Sequence, residues 1–380
     1  MVALGEVLSL CLDAHAVEPE VTYPTLGVYG FGRGIITNKP PVQGNEIAAS
    51  VLYRVRADQF IYSKLKAFEG AFALVTPDGD GRFVSNEFPT FDCRAGKLLP
   101  AYLAWFFRRP SAWESVSAES SGIGARRERL HPDSLLTYKV PLPPLPEQRR
   151  IVARLDAVAT RLTARTEAAR RLEADLAALL RATFTRITAG SPRARMADIA
   201  PLVRRPVTIE PEASYTEIGI RSFFRGIFHR RTVPGSEFTW QDLFRIEAGD
   251  VVFSNLMAWE KGIGLAGAAD IGCVGNHRML TCAPDRSRVV PAFLFFFFTT
   301  PEGFAQIEAA SPGSIARNKT LSPDGLKTIE VPVPSLDAQR WFDRLQAKVS
   351  AARAQHAAVA TEADSLLPAM LHQVFGSAPC

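Results

Sequence analysis

The sequence predicts an α+β chain: two tandem mixed α/β domains separated and linked by two long antiparallel coiled-coil helices, forming an internal pseudo-two-fold repeat. Three observations carry this prediction. The 380-residue length is enough for at least two ordinary cores. One half of the chain superposes on the other at a shift of 191 residues. Each half ends in a long Ala- and Leu-rich stretch whose apolar residues recur every three to four positions.

The repeat runs through most of the chain, as expected of a duplicated architectural unit. Tyr62-Ser-Lys-Leu-Lys-Ala-Phe-Glu69 falls on Phe253-Ser-Asn-Leu-Met-Ala-Trp-Glu260, with Ser, Leu, Ala and Glu identical and aromatic facing aromatic at both ends. Ser120, Gly122, Ala125, Arg126, Leu130, Pro132, Asp133 and Leu135 recur as Ser311, Gly313, Ala316, Arg317, Leu321, Pro323, Asp324 and Leu326. Val140-Pro-Leu-Pro143 and Gln148-Arg149 recur as Val331-Pro-Val-Pro334 and Gln339-Arg340. Towards the N-terminus the shift becomes 192, placing Gly27, Phe31, Arg33, Gly34 and Ile35 on Gly219, Phe223, Arg225, Gly226 and Ile227. By itself a repeat is also compatible with a purely architectural duplication.

Pro141-Leu-Pro-Pro-Leu-Pro146 excludes helix, because proline lacks the N–H and fixes φ. From Glu147 to Phe184 there is neither Pro nor Gly, and the stretch reads as one uninterrupted helix. Its seam is Ile151, Leu155, Val158 and Leu162, then Ala169, Leu172, Leu176 and Leu179, interrupted by Arg165. The second copy repeats this over Asp337–Phe375 with Phe342, Leu345, Val349, Ala352, Val359, Ala363, Leu366 and Met370, and Pro368 is expected to kink its last turns. Pairing of the two helices with each other, antiparallel, with the globular parts at opposite ends, is the simplest arrangement; the same seams would also serve an oligomerising coiled coil. The expected layout is globular domains at 1–146 and 187–336, helices at 147–186 and 337–376, and a tail at 377–380.

Lys plus Arg number 44 against 39 Asp plus Glu, a net charge of +5, which is compatible with nucleic-acid binding without requiring it. The excess is concentrated: the segment from Arg186 to Arg231 has nine Arg, no Lys and four acidic residues. Cys11, Cys93, Cys273, Cys282 and Cys380 form no CxxC pair, are odd in number and follow no secretory signal, predicting reduced thiols in a cytoplasmic protein. The longest apolar run, Pro291 to Phe298, is too short for a membrane span.

Enzymatic signatures are weak. Gly30-Phe-Gly-Arg-Gly34 resembles a cofactor loop, but its twin Ser222-Phe-Phe-Arg-Gly226 has lost two of three glycines, and no Asn-Pro-Pro-aromatic tetrapeptide of amino-methyltransferases occurs. There is no Walker A loop, no Glu-x-Lys nuclease spacing, and the six His lack ligand spacing. His277, beside Asn276 and Arg278, could face DNA or be a hydrogen-bonded structural histidine, the commoner role of the two.

The junction Val140-Pro-Leu-Pro-Pro-Leu-Pro-Glu-Gln148 with its twin Val331-Pro-Val-Pro-Ser-Leu-Asp-Ala-Gln339, the segments Ser120–Leu135 and Ser311–Leu326, and the strand entry Gly249-Asp-Val-Val-Phe-Ser254 together resemble the specificity subunits of type I restriction-modification systems. Two departures from that pattern stand out: Asp58-Gln59 where the second copy has Gly249-Asp250, and Asp337-Ala338 where an acidic residue usually precedes Gln. The resemblance implies two target-recognition domains, each reading one half of a bipartite double-stranded DNA site. It further implies helices that dock methyltransferase (modification) subunits and, through them, restriction/translocase subunits, with seam residues Ile151, Leu155, Val158, Leu162, Phe342, Leu345 and Val349 as candidates for that docking. The chain itself would be non-catalytic and bind no cofactor directly, with S-adenosylmethionine, ATP and Mg in the partners. The alternatives are a protein–protein scaffold with duplicated domains that never binds DNA, and a methyltransferase in its own right.

Phosphate contacts need Arg, Lys or small polar groups on accessible loops, and base reading favours Arg on guanine and Asn or Gln on adenine. The candidates for DNA contact are therefore Arg126, Arg127 and Arg129 in the first copy's Gly-bearing loop and Arg317, Asn318 and Lys319 in the second. To these add Arg33 and Arg225, which could equally pair with core carboxylates, and Lys64, Lys66 and Asn255, where the copies share pattern but differ in chemistry. Phe68, Trp259, Glu69 and Glu260 read as structural.

Overall fold

A computed structural model describes residues 1–118, 129–238, 242–313 and 319–376, for 117–118, 358–362 and 364 the backbone only. The chain divides into two compact units, Met1–Ala169 with Ala357–Cys380, and Arg170–His356. Each unit holds one copy of the repeat and part of each long helix.

The centre of the first unit is an antiparallel sheet of Leu8–Cys11 (β1), Phe60–Tyr62 (β2), Phe72–Leu74 (β3) and Thr90–Cys93 (β4), in the order β3-β2-β4-β1. The second unit builds the same sheet from Leu202–Val203 (β5), Val251–Ser254 (β6), Ile263–Leu265 (β7) and Met279–Cys282 (β8), in the order β5-β8-β6-β7. Even the register repeats. Ile61 faces Ala73 and Thr90, and Val252 faces Gly264 and Thr281. Cys11 faces Thr90, and Val203 faces Thr281, so the 192-residue shift holds at the N-terminal strand. Phe60, Ile61 and Tyr62 are fully buried, as are Val251, Val252 and Phe253, so these strands are apolar on both faces and show no alternation.

Helices begin at proline in both copies, Pro100–Phe106 and Pro291–Thr299, where the missing N–H has no helical partner to lose. They cover the sheet with aromatic side chains. Phe72 stacks on Phe107 at 4.4 Å in the first unit, and Phe253 meets Phe298 edge-on at 5.1 Å in the second. The Phe295–Phe298 tract is thus core packing: Phe297 and Phe298 are fully buried.

The difference between the copies at Asp58-Gln59 and Gly249-Asp250 leaves the backbone intact. Asp58 takes the left-handed conformation (φ 65°) that Gly249 takes (φ 94°). The Gln59 side chain then accepts from Arg56 N at 2.9 Å, as Asp250 accepts from Glu247 N at 2.9 Å. Asp250 is buried and held by Arg205 through two bonds of 2.6 and 3.1 Å; its carboxylate raises the Arg205 pKa above the ordinary value.

The long helices are Leu145–Thr188 (α1) and Leu336–Phe375 (α2), the latter continuing through Pro368. Contrary to the expectation that the proline run excludes helix up to residue 146, α1 takes in Leu145 and Pro146, because in the first turn a missing N–H loses no helical hydrogen bond. In the first unit Val152 and Leu155 of α1 share a core with Met370, Leu371 and Phe375 of α2. In the second, Leu180 and Phe184 of α1 share a core with Phe342 and Val349 of α2, and Arg353 pairs with Glu173 at 2.7 Å. The start of one helix thus lies with the end of the other, which is the antiparallel pairing the sequence predicts. The seam differs in detail: Leu179 and Leu366 are exposed, and Leu180, Phe184, Leu367 and Leu371 take the inner face. A straight helix with 3.6 residues per turn drifts away from a seven-residue repeat, and here the apolar stripe follows the drift.

Both helices are anchored by one glutamine. Gln148, fully buried, accepts from Leu99 N at 2.8 Å and donates to Lys97 O and Pro143 O at 2.9 and 2.8 Å. Gln339 repeats this with Val290 N, Arg288 O and Pro334 O at 2.8, 3.1 and 2.8 Å. Gln148→Leu or Gln339→Leu strands one buried N–H and two carbonyls, and each is expected to lower stability by roughly 2–4 kcal/mol in urea denaturation of the full chain. Burial pushes the Cys93 and Cys282 thiols up to about 12, so both stay protonated at pH 8. Iodoacetamide is expected to spare both in the native chain and label both after denaturation, read by peptide mass spectrometry.

Candidate nucleic-acid interface

Two kinds of surface feature can be separated by comparing the units: those that recur unchanged and those that share a backbone but differ in side chain.

The first kind is a turn. Gly30–Gly34 contains successive left-handed residues, Phe31 (φ 60°) and Gly32 (φ 63°), and Ser222–Gly226 contains Phe223 (φ 61°) and Phe224 (φ 55°). Phe31 N and Gly32 N donate to Glu69 O and Gly70 O, at 2.6 and 2.9 Å, and Phe223 N and Phe224 N donate to Glu260 O and Lys261 O, both at 2.9 Å. The turn therefore sits on the Tyr62–Glu69 and Phe253–Glu260 motifs, which form strand β2 or β6 followed by a 3-10 turn. Gly32 is required in the first unit because a Cβ there would stand 3.0 Å from Arg108 Cα; in the second, the Phe224 ring packs edge-on against Phe295 and Phe304. Each turn presents one exposed aromatic ring, Phe31 or Phe223, beside an exposed arginine. The Arg33 guanidinium lies 5.8 Å from the Phe31 ring and that of Arg225 lies 5.9 Å from Phe223. Among the described residues neither arginine pairs with a carboxylate; Arg33 donates from Nε to Gly30 O at 3.1 Å, and its side chain is exposed.

The second kind is a junction of three chain segments. Lys64 N donates to Glu87 O and Leu130 N donates to Lys64 O, both at 3.0 Å. The second unit repeats both bonds, Asn255 N to Arg278 O at 2.9 Å and Leu321 N to Asn255 O at 2.8 Å. On this common frame the side chains diverge: Lys64 against Asn255, Asn86 against His277, Glu87 against Arg278, Arg129 against Thr320.

In the first unit these residues line an open cleft of about 570 Å³ with Ser50 and Tyr53. Lys64 donates to Asn86 at 2.7 Å, and Glu87 turns inward to accept from Leu65 N at 2.5 Å while lying 3.8 Å from Arg129. In the second unit Asn276 accepts from Arg278 N at 3.0 Å, and Arg204 clamps the turn from behind through His277 O and Met279 O at 3.0 and 2.9 Å. Burial lowers the Arg204 pKa, and its guanidinium stacks 4.6 Å from the Phe244 ring. His277 and Arg278 are exposed and make no side-chain hydrogen bond or ion pair among the described residues. Among the described residues the His277 side chain thus lacks the hydrogen bond expected of a structural histidine. Asn255 Oδ1 is buried with no partner among the described residues, and Lys319 Nζ lies 5.9 Å from the Trp259 ring centre.

The structure thus brings Lys64 and Arg129 to one cleft and places Asn255 and Lys319 in the corresponding part of the other unit. Lys66 is exposed on the 3-10 turn, outside the cleft lining. Arg126, Arg127, Arg317 and Asn318 lie outside the described residues. Leu155, Phe342 and Val349 are buried in their own units' cores, Ile151, Val158 and Leu345 pack against those cores, and Leu162 is half-buried. A docking partner would meet other faces of the helices. Much of the basic stretch is consumed internally: buried Glu217 pairs with Arg230 and Arg231, Arg193 with Glu302 and Glu330, and Arg205 with Asp250. Sequence reading missed Asn86, Arg278 and the two exposed phenylalanines; for the last, recurrence as Phe31 and Phe223 was the available signal.

No family model matches the chain, and no curated protein matches it. Solved structures do. The HsdS subunit from Thermoanaerobacter tengcongensis shares 18% identity at a TM-score of 0.58, over 99% of this chain and 96% of that one. A structure solved to describe complex assembly and conformational transition of the type I R-M system shares 20% at 0.61, over 98% and 96%. The S subunit of a type I restriction-modification system from M. genitalium shares 12% at 0.50, over 100% and 96%. Over nearly its whole length, the chain has the fold of type I restriction-modification specificity subunits.

Proposed function

We propose that this chain is the DNA sequence-recognition subunit of a type I restriction-modification complex, each unit reading one half of a bipartite double-stranded site. The observation that carries this reading is the junction described above: one backbone frame, kept to the hydrogen bond in both units, bearing different polar side chains. Two readers of two different half-sites need that combination, because the duplex backbone is the same at both while the base edges are not.

The 44 and 40 residues of α1 and α2 correspond to roughly 66 and 60 Å of helix, enough to set a gap on the scale of DNA turns of about 34 Å. Their outward faces, which include exposed Leu179, Trp341 and Leu366, are where methyltransferase subunits would dock. Methylation and cleavage, with their S-adenosylmethionine, ATP and Mg, belong in this reading to the partners, and the complex to the cytoplasm.

Co-expression with the cognate modification subunit, followed by genome-wide mapping of methylated bases, is expected to reveal a two-part motif with an unspecified gap. A continuous motif, or none, would count against the reading, and a pure protein scaffold would give none. Duplex affinity of the complex is expected to fall steeply with salt through counterion release. Lys64→Ala with Arg129→Ala is expected to weaken binding of the cognate duplex and to relax the motif in one half only, because neither cation recurs in the second unit.

A further inference from the structure

We infer that the turn Asn276–Arg278 is a base-reading element of the second unit, with Arg278 contacting a guanine of its half-site. The inference rests on the DNA-recognition reading above and adds to it a specific residue and base.

Four observations converge. The Arg278 side chain is exposed and makes no hydrogen bond or ion pair among the described residues, so within them its five donors are uncommitted. The backbone beneath it is held at several points: Asn276 caps Arg278 N, Arg278 O accepts from Asn255 N, and Arg204 bonds the carbonyls of His277 and Met279. A side chain presented on so constrained a turn loses little backbone freedom on binding, which favours a directional two-bond contact over a loose charge contact. Asn255, whose Oδ1 is buried without a partner, is bonded to this same turn.

The fourth observation separates base from phosphate. The equivalent of Arg278 in the first unit is Glu87, of opposite charge and turned inward onto Leu65 N. Phosphates are the same at any half-site, so a phosphate contact at this position would call for a cation in both units. A contact that is cationic in one unit and absent in the other follows a difference between half-sites, and only bases differ. Arginine's planar fork matches the guanine O6 and N7 acceptors.

The test uses the complex of the full chain with its modification subunits. Wild type is first mapped to obtain its motif; then Arg278→Ala and Arg278→Lys are mapped, and duplex binding is measured across salt. Expected is relaxation at a single guanine position in one half, the other half unchanged, with affinity for the cognate duplex down about 10- to 100-fold. An unchanged motif overturns the inference, as does an even loss of affinity on all sequences with the salt slope reduced by about one, the mark of a phosphate contact. Failure of the wild-type complex to give a two-part motif would instead overturn the functional reading itself. Because the side chain is exposed, far-ultraviolet circular dichroism and melting of the variants are expected to match wild type.

Discussion

A buried glutamine governs the way each copy is put together. The segment before each long helix is rich in proline, which contributes carbonyls without N–H groups and so leaves acceptors short of donors. Gln148 and Gln339 supply the missing donor to Pro143 O and Pro334 O, and with the remaining capacity of the same amide tie down the segments carrying Lys97 and Leu99, or Arg288 and Val290. One side chain thereby joins helix start, proline segment and the entrance to the sheet-covering helix. The sheet, its aromatic packing and the junction above it are all built on that fixed corner. Neighbouring acidic residues matter less: Glu147 and Asp337 make surface pairs with Arg150 and Arg340.

Duplication gives this protein an internal control. Whatever both units need, such as sheet register, the glutamine corner and the turn bearing Phe31 or Phe223, is the same in both. Among the positions that diverge, four lie together on one conserved frame: 64 and 255, 86 and 277, 87 and 278, 129 and 320. On that frame the backbone hydrogen bonds are kept while the side-chain chemistry changes.

Much of the architecture was legible in the sequence. The repeat, both long helices and the antiparallel pairing follow from identities and apolar spacing, since these are local or periodic signals. The seam drifted at Leu179 and Leu366 because periodicity does not fix helix phase over forty residues. Site chemistry was legible in part. Lys64 and Asn255 stood out by aligned difference, whereas Arg278 did not, because its freedom depends on Arg204 holding the turn from a distant strand. Conversely, the basic run from Arg186 to Arg231 holds a charge excess equal to that of the whole chain, yet Glu217, Asp250, Glu302 and Glu330 occupy much of it. Ion pairing across strands is invisible to a linear charge count.

The turn after each 3-10 segment has a further meaning. Gly70 and Lys261 occupy the same left-handed position, φ 71° and 65°, but a Cβ on Gly70 would come within 2.2 Å of Trp113. The two copies can no longer exchange residues one at a time: lysine at 70 requires that the indole first move away. A substitution that one half tolerates is therefore not transferable to the other unless the side chains around it change with it.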